Sequence, residues 1–347
     1  MSSSLTSIHW WSHNRPSINQ AWKKEVVVAG EQPKIDVHHH IVPPRYASAL
    51  ADMGITSVGG RPLPRWDLEA NLAFMDRHGI ETAILSVSAP GVFFGDRGMA
   101  RELARCCNEY LAELVGAYPR CFGAFATLPL PDVEAALDEL AYALDTLGLD
   151  GVGLLSSVDR RYMGDPAFDA LFDELGRRGA VAFMHPHTPD ENEVPGLDLP
   201  TSLMEFVYET TRAVSKLLFS GTLERCPDIR LILPHAGGTV PFVALRLCLG
   251  QFWPGLQEHV PQGVIAYLQR LYYDTALSGA PFALRSLQEL VDDSHILFAS
   301  DYPFAPELAT VATIGGLNGY DGFDETALES VFYENALALF PRLRAKP

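Results

Sequence analysis

Three histidines in a row close the segment KIDVHHH, residues 34–40, in a chain that holds only eleven histidines among its 347 residues. In a strand, side chains alternate between faces, so His38 and His40 point one way and His39 the other. Two imidazoles on one face are spaced to grip one metal ion. Further metal-competent side chains end other β-rich runs: His185 in AVAFMHP, His235 in IRLILPH and Asp301 in HILFASD. Three neutral imidazoles and one carboxylate suit zinc, manganese or iron, with a coordination position left open for chemistry. This reading assigns His38, His40, His185 and Asp301 as ligands and leaves His235 as a general acid or base beside them. The run GVGLLSS (151–157) carries no lysine, so no carbamylated lysine can bridge two metals there, and a single ion is expected.

Groups spread from position 38 to position 301 meet only if the fold brings the run ends together. Eight β-rich runs, at 34–40, 82–88, 121–128, 151–157, 180–186, 229–235, 271–277 and 295–301, alternate with helical patterns such as PDVEAALDELAYALDTLG. The helical segments show apolar residues three and four apart and end in glycine. Alternation implies a parallel sheet with right-handed crossovers, and eight repeats predict a closed (β/α)₈ barrel, an α/β fold. A doubly wound sheet would place a Gly-rich phosphate turn after its first strand, where this chain has histidines. The barrel is expected over residues 31–347, with residues 1–30 and their three tryptophans forming an arm laid over it. The loops 54–65 and 187–202 should stand at the C-terminal mouth, where barrel enzymes bind substrate.

Composition narrows the partners. A formal net charge of −17 argues against nucleic acid and anionic membranes, whose phosphates require Lys and Arg. It also means that an acidic substrate needs local positive charge from a metal or a placed arginine. Five cysteines (Cys106, Cys107, Cys121, Cys226, Cys248) with no CxxC spacing read as buried thiols of a reducing compartment. No apolar stretch reaches the ~18 residues that span a bilayer, and the start shows no signal core, so the cytoplasm is the expected location.

The motifs IDVHHH, AILSVSAPG, FMHPH, LPHAGGTVPF and FASDYPF occur in an order and spacing that resemble the amidohydrolase superfamily. Within it, the chain is similar to the branch of 2-amino-3-carboxymuconate-6-semialdehyde decarboxylase and the salicylate-type decarboxylases, most of all 6-methylsalicylate decarboxylases. The resemblance runs from about residue 34 to the C-terminus. It implies a (β/α)₈ barrel carrying out nonoxidative decarboxylation with one zinc or manganese ion per chain. Where that subfamily reads His-Glu-Thr-Gly-Arg-Ala, this chain reads YETTRA, with Tyr208 and Thr211 in place of the histidine and the glycine.

The expected enzyme is therefore a metal-dependent carboxy-lyase acting on an aromatic, salicylate-like or enol-like carboxylic acid. A cation chelating the carboxylate and its ortho oxygen would supply positioning and charge stabilisation, with Asp301 or His235 delivering the proton. Phe93, after SVSAPG, is expected to wall an aromatic pocket. Arg246 matches an arginine that, in relatives, crosses a subunit boundary to meet the partner's substrate carboxylate, which implies a homodimer with shared sites. Two alternatives stand beside this. One is a mononuclear metal hydrolase or cyclising enzyme acting on an amide, ester or lactone; the other is a catalytically inactive barrel used for binding. Glu209 and Arg212, three residues apart, read as a helix-surface ion pair, His39 as a structural hydrogen-bonding group, and Asp274 as a residue that orients a ligand or a backbone amide.

Overall fold

A computed structural model describes residues 32–188 and 197–344 of the chain. The expected N-terminal arm and half of the loop 187–202 (residues 189–196) lie outside the described residues.

Eight parallel strands follow one another around the sheet in sequence order. They are β1 (Lys34–His40), β2 (Ile80–Ser86), β3 (Phe122–Thr127), β4 (Gly151–Leu155), β5 (Val181–His185), β6 (Arg230–Leu233), β7 (Tyr272–Asp274) and β8 (Ile296–Leu297). The ring closes between the first strand and the segment after the last. Val37 N–H donates to Phe298 O (3.1 Å), Asp301 N–H to His38 O (2.9 Å) and His40 N–H to Tyr302 O (2.7 Å). This is the (β/α)₈ barrel that the alternation of runs predicts. Its interior is filled by side chains from successive strands, among them Ile35, Ile84, Phe125, Phe183, Ile232 and Leu297, with Leu337, Leu339 and Phe340 packed against them. The barrel is thus a packed core with no pore through it.

Every strand is parallel to its neighbours, so all eight C-terminal ends share one rim. Two small hairpins stand on that rim, Ser57–Pro62 and Ser157–Tyr162. The first falls within the predicted loop 54–65 and rests on the helix Thr201–Phe219, since a Cβ at Gly59 would lie 2.8 Å from the ring of Phe206.

The strand limits differ from expectation mostly at the far ends. β6 stops at Leu233 and β8 at Leu297, so His235 and Asp301 lie just past regular structure. Both adopt left-handed backbone, with φ of 55° and 62°, a conformation that costs non-glycine residues energy and collects at functional sites. The cysteines also need a correction. All five are free, but only Cys107 and Cys226 are buried; Cys106, Cys121 and Cys248 are partly exposed because they sit toward the outer sides of their helices and loops.

Candidate metal centre

β1 delivers two of the metal-competent groups. Its pairing register with β2 shifts between Asp36 and His39, a bulge of the kind that re-aims side chains. The rings of His38 and His40 meet edge to face at 4.7 Å inside the rim, while His39 packs outward against Phe74 and Tyr302. His39 bonds Asp36 through Nδ1 and Asn71 through Nε2, each at 2.8 Å, so it has the structural role expected of it. Asp36 also accepts the backbone N–H groups of His38 (3.2 Å) and Ser300 (3.0 Å), tying the end of β1 to the segment that carries Asp301.

One ligand atom from each of His38, His40, His185 and Asp301 lies within 4.8 Å of the others. The sequence assigned this set, and the fold assembles it from β1, β5 and the turn after β8. Each imidazole is anchored through its outer nitrogen. His38 Nδ1–H donates to Asp274 (2.7 Å), His185 Nδ1–H to the carbonyl of Pro186 (2.7 Å), and His40 Nδ1 meets Ser86 Oγ at 3.0 Å. A carboxylate or carbonyl can only accept, so in their neutral forms His38 and His185 present Nε2 lone pairs inward.

Two of the inward nitrogens crowd each other. His38 Nε2 and His40 Nε2 lie 2.9 Å apart, with Asp301 Oδ1 at 3.2 Å and 3.1 Å from them. Without a cation, one proton must mediate the contact. Burial opposes a charge on His38, but Asp274 and Asp301 outweigh it and raise its pKa to about 10. Burial, with its charged neighbour His38, lowers His40 to about 4. Desolvation, aided by His40 and His38, likewise drives His185 well below the usual imidazole range. Burial alone would raise the Asp301 carboxyl, yet the facing imidazoles hold it well below its ordinary value. Inward nitrogens forced together around a carboxylate are the donor set of a single divalent ion, and the residues fit one.

His235 sits beside this set without joining it. Its Nε2 is 3.6 Å from Asp301 Oδ2, too long for a hydrogen bond, and neither ring nitrogen has a partner among the described residues. Its ring stands 5.1 Å from His38 and 6.4 Å from His185. Its backbone is pinned, because His235 N–H donates to Asp274 Oδ1 at 2.7 Å. The following turn also needs glycine: a Cβ on Gly238 (φ 66°) would fall 2.2 Å from Val207 O.

On the same rim, a cavity of about 430 Å³ opens over the ends of β2 to β5, and its lining includes His187, two residues beyond His185. Val92, Phe93, Phe94, Leu128 and Leu155 contribute apolar walls to it. Tyr162, which the sequence did not single out, belongs to this wall as well. Glu209, read as half of a helix-surface pair, is 1% exposed and lines the cavity. It accepts from Tyr162 Oη (2.8 Å) and from Arg212. Helical spacing located the Arg212 contact, but no local signal could reveal that the hairpin Ser157–Tyr162 folds over this face.

Arg246 is not brought to the cluster within its own chain. It is exposed on the helix Val240–Leu247, beside Phe242 (87% exposed) and Leu245 (82%).

Comparison with known proteins places these features in context. The family model described as amidohydrolase matches residues 35–342. A 6-methylsalicylic acid decarboxylase of Penicillium expansum is 38% identical over 316 residues, covering 90% of this chain and 97% of that protein. Decarboxylase yanB of Aspergillus niger is 35% identical over 325 residues, covering 90% and 88%. Among solved structures, a dihydroxybenzoic acid decarboxylase from Polaromonas sp. JS666, crystallised with manganese and the inhibitor 2-nitroresorcinol, superposes with a TM-score of 0.73. It is 25% identical, and the match covers 90% of this chain and 98% of that one. Among the described residues, no helix is long and apolar enough to cross a membrane.

Proposed function

The chain belongs to the amidohydrolase family, and from that premise we propose that it is a metal-dependent, nonoxidative decarboxylase of an aromatic acid with a hydroxyl beside the carboxylate. The observation that carries this is the four-residue donor set, with His235 next to it, on a barrel rim that also holds a cavity walled in part by Phe93 and Phe94. The relatives that match over nine-tenths of the chain are named as decarboxylases, one of them for 6-methylsalicylic acid.

In this reading, His38, His40, His185 and Asp301 hold one manganese or zinc ion. Bound there, the cation supplies positive charge to the substrate carboxylate and the neighbouring oxygen. Phe93 and Phe94 confine the ring plane, and the apolar wall excludes water from it. His235, beside Asp301, delivers a proton to the ring carbon that bears the carboxylate. That carbon's bond to the carboxylate then breaks, its electrons restore the aromatic ring, and CO₂ leaves. Solvent returns the proton to the donor. Asp274 holds His235 and His38 in register for both tasks.

The substrate is an anion in a chain of net charge −17, and a second cation would stabilise it. We assign that role to Arg246 of a second copy. Phe242, Leu245, Leu249, Phe252 and Trp253 make an exposed apolar face around Arg246, and such a face is costly to leave in water. A homodimer covers it and carries the guanidinium toward the partner's cavity, where its two-pronged geometry suits a carboxylate. The five unpaired thiols accord with a cytoplasmic location. Release of CO₂ from a panel of hydroxybenzoates by the metal-loaded protein tests the activity; no release from any of them, with hydrolysis of an aryl lactone or acetanilide instead, would overturn it.

A further inference from the structure

We propose that Tyr162 and Glu209 form a recognition subsite for a second hydrogen-bond donor, a hydroxyl or an amine, on the side of the aromatic ring away from the carboxylate. This rests on the aromatic-acid reading above and names the substrate class within it.

The cavity that receives the ring joins apolar groups such as Val92, Phe93, Phe94 and Leu155 to polar ones, among them Thr127, Asp159, Arg160 and His187. Tyr162 and Glu209 stand out among the polar groups because they are bonded to each other. Glu209 is 1% exposed and contributes to the lining, as does Tyr162. A buried carboxylate is tolerated only when paired and hydrogen-bonded, and here Tyr162 Oη (2.8 Å) and Arg212 donate to the same oxygen, Oε1. A clamp between the hairpin Ser157–Tyr162 and the helix Thr201–Phe219 would account for those two bonds. It would not require both groups to face the cavity.

The chemistry of the pair sets what it can bind. Burial, then the bond to Glu209, raises the Tyr162 phenol far above its ordinary pKa, so it stays protonated and its proton is committed to Glu209. Toward the cavity, the phenol oxygen and the carboxylate can therefore only accept. An accepting pair recognises a donor. Phe206 packs edge-on against His185 at 5.8 Å, and Glu209 follows three residues later on the same helix, about 4.5 Å further along the axis, so the pair is carried by the helix that borders the cluster.

The test compares 2,4-dihydroxybenzoate, whose second hydroxyl lies across the ring from the carboxylate, with salicylate, which lacks it. The native protein should favour the former by about tenfold or more in kcat/KM, as sites built around a substrate hydroxyl do. Tyr162→Phe and Glu209→Gln should each bring that ratio toward one by raising the KM of the dihydroxy acid, with metal content retained. The 2,6-isomer, with both hydroxyls beside the carboxylate, should show no such dependence on Tyr162. Equal kcat/KM for the two acids in the native protein, or equal losses on both acids in the variants, would overturn the subsite and leave a clamp. Should no acid lose CO₂, the decarboxylase reading fails by itself. Binding of resorcinol against phenol, measured by calorimetry on the metal-loaded protein, still decides the subsite. Tighter binding of resorcinol that Tyr162→Phe abolishes supports it, and equal binding of the two refutes it.

Discussion

Asp274 accepts the Nδ1–H of His38 at 2.7 Å, and its second oxygen accepts the backbone N–H of His235, also at 2.7 Å. One buried carboxylate at the end of β7 thereby sets the inward lone pair of a metal-binding imidazole and the position of the proposed proton donor. Asp274→Asn keeps the shape but removes the charge that fixes the His38 tautomer. We expect metal affinity to fall by about 10–100-fold, measured by competition with a chelator. Turnover at saturating metal should fall as well, because the single amide oxygen of asparagine can accept from His38 or from His235 but not from both. Unchanged affinity would mean that Asp274 merely fills space.

The two histidines outside β1 should behave differently. His185→Ala removes one of four donors, and the purified variant should carry little metal while keeping its barrel, as read by circular dichroism. His235→Ala should keep its metal and lose about 10²–10⁴-fold in turnover, the range for a general acid–base group. Metal analysis alongside kcat separates the two. If metal fell in step with activity in His235→Ala, His235 would have to be counted as a ligand.

Metal uptake should release a proton. In the metal-free protein the carboxylates of Asp274 and Asp301 outweigh burial and raise His38 to about 10, whereas burial lowers His40 to about 4. At neutral pH only the first must shed a proton to offer its Nε2 lone pair, so about one proton should leave per ion bound. The sign follows: affinity rises with pH, by about tenfold per unit for each proton displaced, and levels off as pH passes about 10, where His38 is already deprotonated. Calorimetry in buffers of different ionisation enthalpy counts the protons. A count of zero would contradict the charged state of His38.

Much of this site was legible in the sequence because metal-binding side chains and strand periodicity are both local signals. KIDVHHH is a strand over the same seven residues in the structure, with the expected alternation at its histidines. The ends of β6 and β8 were less legible: apolar runs continue through LILPH and FASD, yet the backbone turns left-handed at His235 and Asp301 to aim them inward. Glu209 was misread for a different reason. Three-residue spacing identifies its contact with Arg212 but not which face of the helix is covered, and that depends on a hairpin some fifty residues earlier, Ser157–Tyr162.

Arg246 tests the assembly. Arg246→Ala should raise the KM for the acid without emptying the metal site, since the residue lies away from the cluster of its own chain. Mixing inactive Arg246→Ala with an inactive metal-ligand variant such as His185→Ala should restore part of the activity, because a hybrid dimer holds one site with both parts intact. A fully active monomer at assay concentration, by light scattering or sedimentation, would sink the shared site.

The central claim is that the ring carbon loses CO₂ and gains a solvent proton. Turnover of 6-methylsalicylate or another hydroxybenzoate in D₂O, followed by NMR and mass spectrometry, measures this directly. The expected product is the phenol carrying one deuterium at the position vacated by the carboxylate, formed in step with CO₂ and lost together with metal in His185→Ala. Product without deuterium at that carbon, or persistent activity in metal-stripped protein, would contradict it.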